Sequence, residues 1–149
     1  MRSPYTQLYL HLVWSTWDRY PHLADLDLRQ RVYECINAEC TRRRADVLAI
    51  GGIEDHVHVL VRPPATVAPA DLVKHMKGAS SHMVNYHIGR PDYFKWQGGY
   101  GAFSVSKRHV PMIHDYVLRQ EEHHREQRLF EPLEPPPPGA REKPGHSSG

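Results

Sequence analysis

The sequence predicts an α+β fold. The hydrophobic period switches repeatedly between about two, which marks strands, and about 3.6, which marks helices. The switches run strand, helix, strand, strand, helix, strand, helix along the chain. The second and third strands follow each other so closely that only an antiparallel hairpin can join them. An antiparallel sheet with helices on one face satisfies that order. The arrangement expected is a ferredoxin-like (RRM-like) split βαβ sheet with an added C-terminal helix.

Each element has its own signal. From Tyr5 to Ser15, Leu8, Leu10, Leu12 and Trp14 alternate with Tyr9, His11 and Val13, as in a central strand. Thr16 to Leu23 reads as a connection. From about Asp25 to Arg44, Leu28, Val32, Cys35 and Ile36 make a helical stripe, closed by Arg42, Arg43 and Arg44 where positive charge suits the dipole. Asp46 to Ile50 is a second strand, and Gly51-Gly52 reads as a turn. Ile53 to Val61 is a third strand, ended by Pro63-Pro64. Ala68 to His87 is a second helix, with Pro69 in its first turn and Leu72, Met76, Ala79 and Met83 inward. A last strand falls within Ala102 to Ser106, and a third helix runs from His109 or Val110 to Arg128.

Residues 1–130 are expected to form one folded domain. Residues 131–149, which include Pro135 to Pro138, are expected to be a disordered Pro-rich tail. The net charge of +2 neither demands nor excludes a polyanionic partner. Cys35 and Cys40 do not form a CxxC pair and read as small buried residues of a reduced protein. Neither a signal-peptide core nor an apolar run of membrane-spanning length is present, so a cytoplasmic location is expected.

The chemistry centres on Glu54-Asp55-His56-Val57-His58-Val59. Residues two apart on a strand share a face, so His56 and His58 project together as a two-toothed metal ligand. They also read as an ordinary polar pair on a solvated face. On the third helix Tyr116 and Gln120 lie one turn apart beside the stripe Val110, Ile113 and Val117. A metal held by His56, His58 and the Gln120 amide oxygen would lie beside the Tyr116 hydroxyl. A nucleophile one turn from a metal ligand suits attack on a phosphodiester. On Tyr116 alone, an amphipathic side chain at a core margin is the stronger reading.

His56-Val57-His58 resembles the HUH motif, and Tyr116-x-x-x-Gln120 resembles the catalytic element of the one-tyrosine HUH transposases. These are the TnpA-type enzymes of the smallest bacterial insertion sequences and their REP-associated relatives. The resemblance runs from Tyr5 to about Phe130. It includes Tyr9-Leu10-His11-Leu12-Val13-Trp14-Ser15-Thr16, Lys77-Gly78-Ala79-Ser80-Ser81 and Gly98-Gly99-Tyr100-Gly101-Ala102-Phe103. It implies a homodimer acting on single-stranded DNA folded into hairpins at element ends. It implies that Tyr116 attacks a DNA phosphate, forming a 5′-phosphotyrosine and freeing a 3′-hydroxyl. It implies a divalent cation, Mg²⁺ or Mn²⁺, held by His56, His58 and Gln120; two imidazoles favour Mn²⁺ of the two. It also implies that the tyrosine helix can serve the partner's histidines.

Arg19, Lys74, Lys77, Lys107 and Arg108 are candidate DNA contacts, with Arg42, Arg43 and Arg44 behind them. Trp17, Trp96 and Tyr100 read equally as base-stacking platforms and as core. His123 and His124 read equally as packing, as DNA contacts and as groups outside the metal's ligand shell. Two other function classes stay open. One is a domesticated, non-mobile binder of single-stranded nucleic acid with this fold. The other is a zinc hydrolase, which needs a third strong ligand and a water nucleophile.

Overall fold

The structure, a computed structural model, describes residues 5–125 and Glu134. Most of the expected tail, residues 131–149, lies outside the described residues. The sheet has four antiparallel strands in the order β2-β3-β1-β4. They are β1 (Tyr9–Ser15), β2 (Asp46–Ile53), β3 (His56–Arg62) and β4 (Gly101–Val105). This is the strand order of the split βαβ arrangement.

Helices α1 (Leu26–Arg42) and α2 (Pro69–His82) cover one face. Leu12, Trp14, Val57, Val59 and Val61 meet Val32, Ile36, Leu72 and Met76 there in one buried cluster. The Asp25 carboxylate caps α1, accepting from the backbone N–H groups of Asp27 and Leu28 at 3.0 and 3.2 Å. Pro69 opens α2 without losing a hydrogen bond. A π-helical turn, Met83–Ile88, extends α2 towards the expected boundary at His87. Cys40 is buried with its Sγ 3.3 Å from the Met76 Sδ, and both cysteines are free thiols. Trp96 is core: its indole N–H donates to the Ser80 Oγ at 2.9 Å, and its ring meets Trp14 edge-on.

The added helix lies on the opposite face of the sheet. It is two helices, α3 (Val110–Leu118) and α4 (Gln120–Arg125), where the periodicity suggested one. The backbone leaves the helical region at Arg119 (φ −105°, ψ 31°). The Gln120 side-chain amide donates to the Tyr116 carbonyl at 3.0 Å, satisfying it at the break. Ile113 and Val117 pack on Ala49 and Leu60 in a second, smaller apolar cluster.

Gly51 and Gly52 do not form the turn. They are paired within β2, opposite His58 and Val57, and the hairpin turns at Glu54-Asp55 instead. The glycines serve close approach. A Cβ on Gly51 would lie 1.9 Å from the Val117 carbonyl oxygen, and one on Gly52 would lie 2.2 Å from the His56 carbonyl oxygen. Nothing in the sequence distinguishes a glycine kept for contact from one kept for a turn.

Gly51→Ala is therefore expected to destabilise the protein by about 1–3 kcal/mol or more, because α3 must lift off the sheet. Gly78→Ala is the control, since nothing lies within 4 Å of a Cβ there. Urea denaturation compares them; equal midpoints for Gly51→Ala and wild type would contradict the direct docking of α3.

Candidate active site and metal centre

The site forms where β3, β1, α3 and α4 meet. His56 and His58 project from β3 towards α3, as the period of two requires, and both are fully buried. Their ring centroids are 5.0 Å apart. The Tyr116 ring stands edge-on to His58 at 5.9 Å. Gln120, also buried, places its Oε1 3.3 Å from the His56 Nε2. The four residues singled out in the sequence are thus brought together within one chain.

Each donor atom is aimed by a neighbour. The Asp55 Oδ1 accepts from the His56 Nδ1 at 2.8 Å, which leaves the Nε2 of the neutral ring as a lone pair facing the site. The Asp55 Oδ2 in turn holds the Arg19 Nε at 3.3 Å. His11, buried on β1, has its Nε2 2.7 Å from the His58 Nδ1. With the proton on the His58 Nδ1, the His58 Nε2 is left as a lone pair, buried and without a hydrogen bond. The bond to the Tyr116 carbonyl fixes which end of the Gln120 amide faces His56. Two imidazole nitrogens and an amide oxygen oriented this way fit a divalent transition metal.

The electrostatics separate the two histidines. Burial pushes the His58 pKa down to about 4. Burial opposes charge on His56 too, but hydrogen bonds to Asp55 and Glu134 outweigh it and raise the pKa. For His11, burial and then the charge of His58 bring the value down to about 3. Burial works against the Asp55 carboxylate, yet the His56 hydrogen bond and the Arg19 charge hold its pKa below the ordinary range.

Two residues complete the surroundings. His124, on α4, lies with its ring 4.9 Å from that of His56. The Glu134 carboxylate enters the site itself: its Oε1 is 3.2 Å from the His56 Nε2, 3.4 Å from the His58 Nε2 and 3.2 Å from the His124 Nε2. The Tyr116 hydroxyl donates to its Oε2. Burial opposes the Glu134 charge, but the three histidines hold its pKa far below the usual carboxylate range. His123 stacks on the Tyr116 ring at 4.8 Å.

The basic candidates are distributed differently. Arg19 is tied to Asp55. Lys77 donates to the carbonyls of Gln97 and Gly99 at 2.7 and 2.9 Å, clasping that loop, and burial lowers its pKa to about 8. Lys74 and Arg42 line a cleft between α1 and α2, across the sheet from the histidines. Lys107 and Arg108 are exposed in a short helical turn just before α3. Trp17 is about half exposed, with the Lys95 ammonium 4.0 Å from its ring centre, and Tyr100 is exposed.

Sequence reasoning passed over His11, the orienting role of Asp55, and Glu134. The aspartate directly before the His-x-His was the one available signal. Glu134 stands in a segment whose composition reads as tail.

Solved structures share this architecture. A crystal structure of a candidate transposase from Deinococcus radiodurans superposes with a TM-score of 0.61 at 24% identity, over 78% of this chain and 95% of that one. A REP-associated tyrosine transposase bound to a REP hairpin gives a TM-score of 0.61 at 15% identity, over 83% of this chain and 74% of that one. No curated protein matches. The family model for IS200-like transposases matches residues 4–120, which takes in both histidines, the tyrosine and the glutamine. The chain belongs to the IS200-like transposase family.

Proposed function

We propose that this transposase cleaves and rejoins single-stranded DNA by metal-dependent tyrosine transesterification. Tyr116 is the nucleophile. Its oxygen bonds to the DNA phosphorus as the bond to the 3′ oxygen breaks, giving a 5′-phosphotyrosine and a 3′-hydroxyl. The phenol loses its proton and the departing oxygen gains one. Attack by that 3′-hydroxyl on a second phosphotyrosine link rejoins the strands without an external energy source.

His56, His58 and Gln120 would hold the divalent cation, Mg²⁺ or Mn²⁺. When bound, the cation polarises a phosphoryl oxygen and balances the charge that develops in the reaction. The chain's own groups do the rest. Asp55 and His11 orient the two imidazoles, and His123 packs against the phenol. The turn before α3 offers Lys107 and Arg108 to the DNA backbone.

The observation that carries the proposal is the meeting of Tyr116, His56, His58 and Gln120 on the face opposite the helical core. The DNA is proposed to be hairpin-bearing, at the ends of a mobile element, by likeness to the neighbour bound to a REP hairpin. Homodimerisation and action in the cytoplasm are part of the same proposal. Within one chain the Tyr116 ring stands 5.9 Å from that of His58, which supports attack in cis as part of the proposal. Among the described residues no helix is long and apolar enough to cross a membrane.

A second reading has one observation in its favour. His124 and Glu134 beside His56 could supply the third strong ligand that a hydrolase with a water nucleophile needs. Covalent trapping separates the two. Labelled single-stranded hairpin DNA incubated with Mn²⁺ should give a protein–DNA band that survives a denaturing gel. Tyr116→Phe should abolish that band while leaving DNA affinity nearly unchanged. Cleavage that persists in Tyr116→Phe would establish the hydrolase instead. Binding without any covalent band in wild type would establish a domesticated binding protein.

His56→Ala should remove metal-dependent nicking and leave the fold intact, as read by circular dichroism. A variant that nicks at the wild-type rate would take His56 out of the metal site.

A further inference from the structure

The Asp55 Oδ1 accepts from the His56 Nδ1, and the His56 Nε2 on the other side of the ring faces the Oε1 atoms of Gln120 and Glu134. The His58 and His124 Nε2 atoms approach the same Glu134 oxygen. Five electron-rich atoms converge on one small volume. Among the described residues, every ion-pair partner of the Glu134 carboxylate is a histidine, although its side chain is only 9% exposed. A cation bound among these atoms would meet a carboxylate already held inside the site.

The spacings say what kind of charge fits. Glu134 Oε1 lies 3.2, 3.4 and 3.2 Å from the three imidazole nitrogens, and Gln120 Oε1 lies 3.3 Å from the His56 Nε2. Ligands at right angles on one cation, with bonds of about 2.1–2.3 Å, lie about 3.0–3.3 Å apart. The separations to His56, to His124 and between Gln120 and His56 are those of neighbouring ligands on a shared ion, and the one to His58, 3.4 Å, is slightly longer. The candidate ligand atoms of His56, His124 and Glu134 all lie within 4.8 Å of one another, and His58 joins this group through its contact with Glu134 alone.

We propose that His124 and Glu134 are further ligands of the catalytic cation, making a centre of three imidazoles, one amide and one carboxylate. The proposal rests on the metal reading given above. His124 lies one turn beyond Gln120 on α4, so one helix presents both donors on one face. Five protein donors leave one position of an octahedron for a DNA phosphate oxygen. The second Glu134 oxygen, which accepts the Tyr116 hydroxyl, ties the nucleophile to the metal's own ligand. The three imidazoles weight the site towards Mn²⁺ over Mg²⁺.

The test is Mn²⁺ binding by the full chain without DNA, followed by calorimetry and by the electron paramagnetic resonance of the bound ion. His124→Ala and Glu134→Gln should each weaken binding by about tenfold or more and alter the resonance. Both side chains sit at the margin of the site, and His124→Asn replaces the alanine variant if that one unfolds. If both variants bind Mn²⁺ as wild type does while His56→Ala does not, the added ligands are refuted and the basic metal site stands. If Glu134→Gln binds Mn²⁺ more tightly, Glu134 competes with the ion and its role as ligand is refuted. If wild type binds no better than His56→Ala, the metal reading falls and takes this proposal with it.

Discussion

The contact on which the site depends is the approach of the α3 backbone to Gly51. With no side chain at that position, the Val117 carbonyl rests directly on the sheet. Tyr116 precedes Val117, so the depth of that contact sets how close the phenol stands to His58. A shift of one methyl group's thickness would be enough to separate the proposed nucleophile from the proposed ligand, because productive geometry tolerates about half an ångström. The apolar cluster of Ala49, Leu60, Ile113 and Val117 then holds the helix at that depth.

The second constraint is electrostatic. Three histidines, His11, His56 and His58, are buried completely; burial wins at His11 and His58, while Asp55 and Glu134 favour charge on His56. Elements of the sheet engage one nitrogen of each ring. Asp55 serves His56, and His11 serves His58. The Nε2 atoms of His56 and His58 face the proposed cation site. The two sides of the sheet divide the work: Val57, Val59 and Val61 hold the fold against α1 and α2, while the alternate residues of the same strand face the chemistry.

The strands and helices were legible because their period is local, and so was the pairing of His56 with His58. Tyr116 and Gln120 could be placed on one face because helical spacing does not depend on the rest of the chain. The break at Arg119 was hidden, since the apolar stripe ends before it and the Gln120 side chain makes the bond that accommodates it. Gly51 was misread because a contact with a helix 66 positions later leaves no local mark. Arg19 and Lys77 looked like free cations; Asp55 and the 97–99 carbonyls engage them through folding alone. Trp96 kept two meanings until Ser80 was found beside its indole nitrogen. Glu134 was invisible because a Pro- and Glu-rich composition says nothing about which carboxylate has a destination.

The connection between β1 and α1 carries a less obvious load. Asp18 and Arg19 both adopt left-handed backbone conformations, at φ 52° and 55°, which side-chain-bearing residues rarely do. That bend turns Arg19 back onto Asp55, the residue that decides which nitrogen of His56 carries its proton. The loop thus works as a remote trim on the His56 tautomer. Chain divergence in this segment, far in sequence from His56 and His58, would retune the proposed centre while leaving the residues that face it untouched.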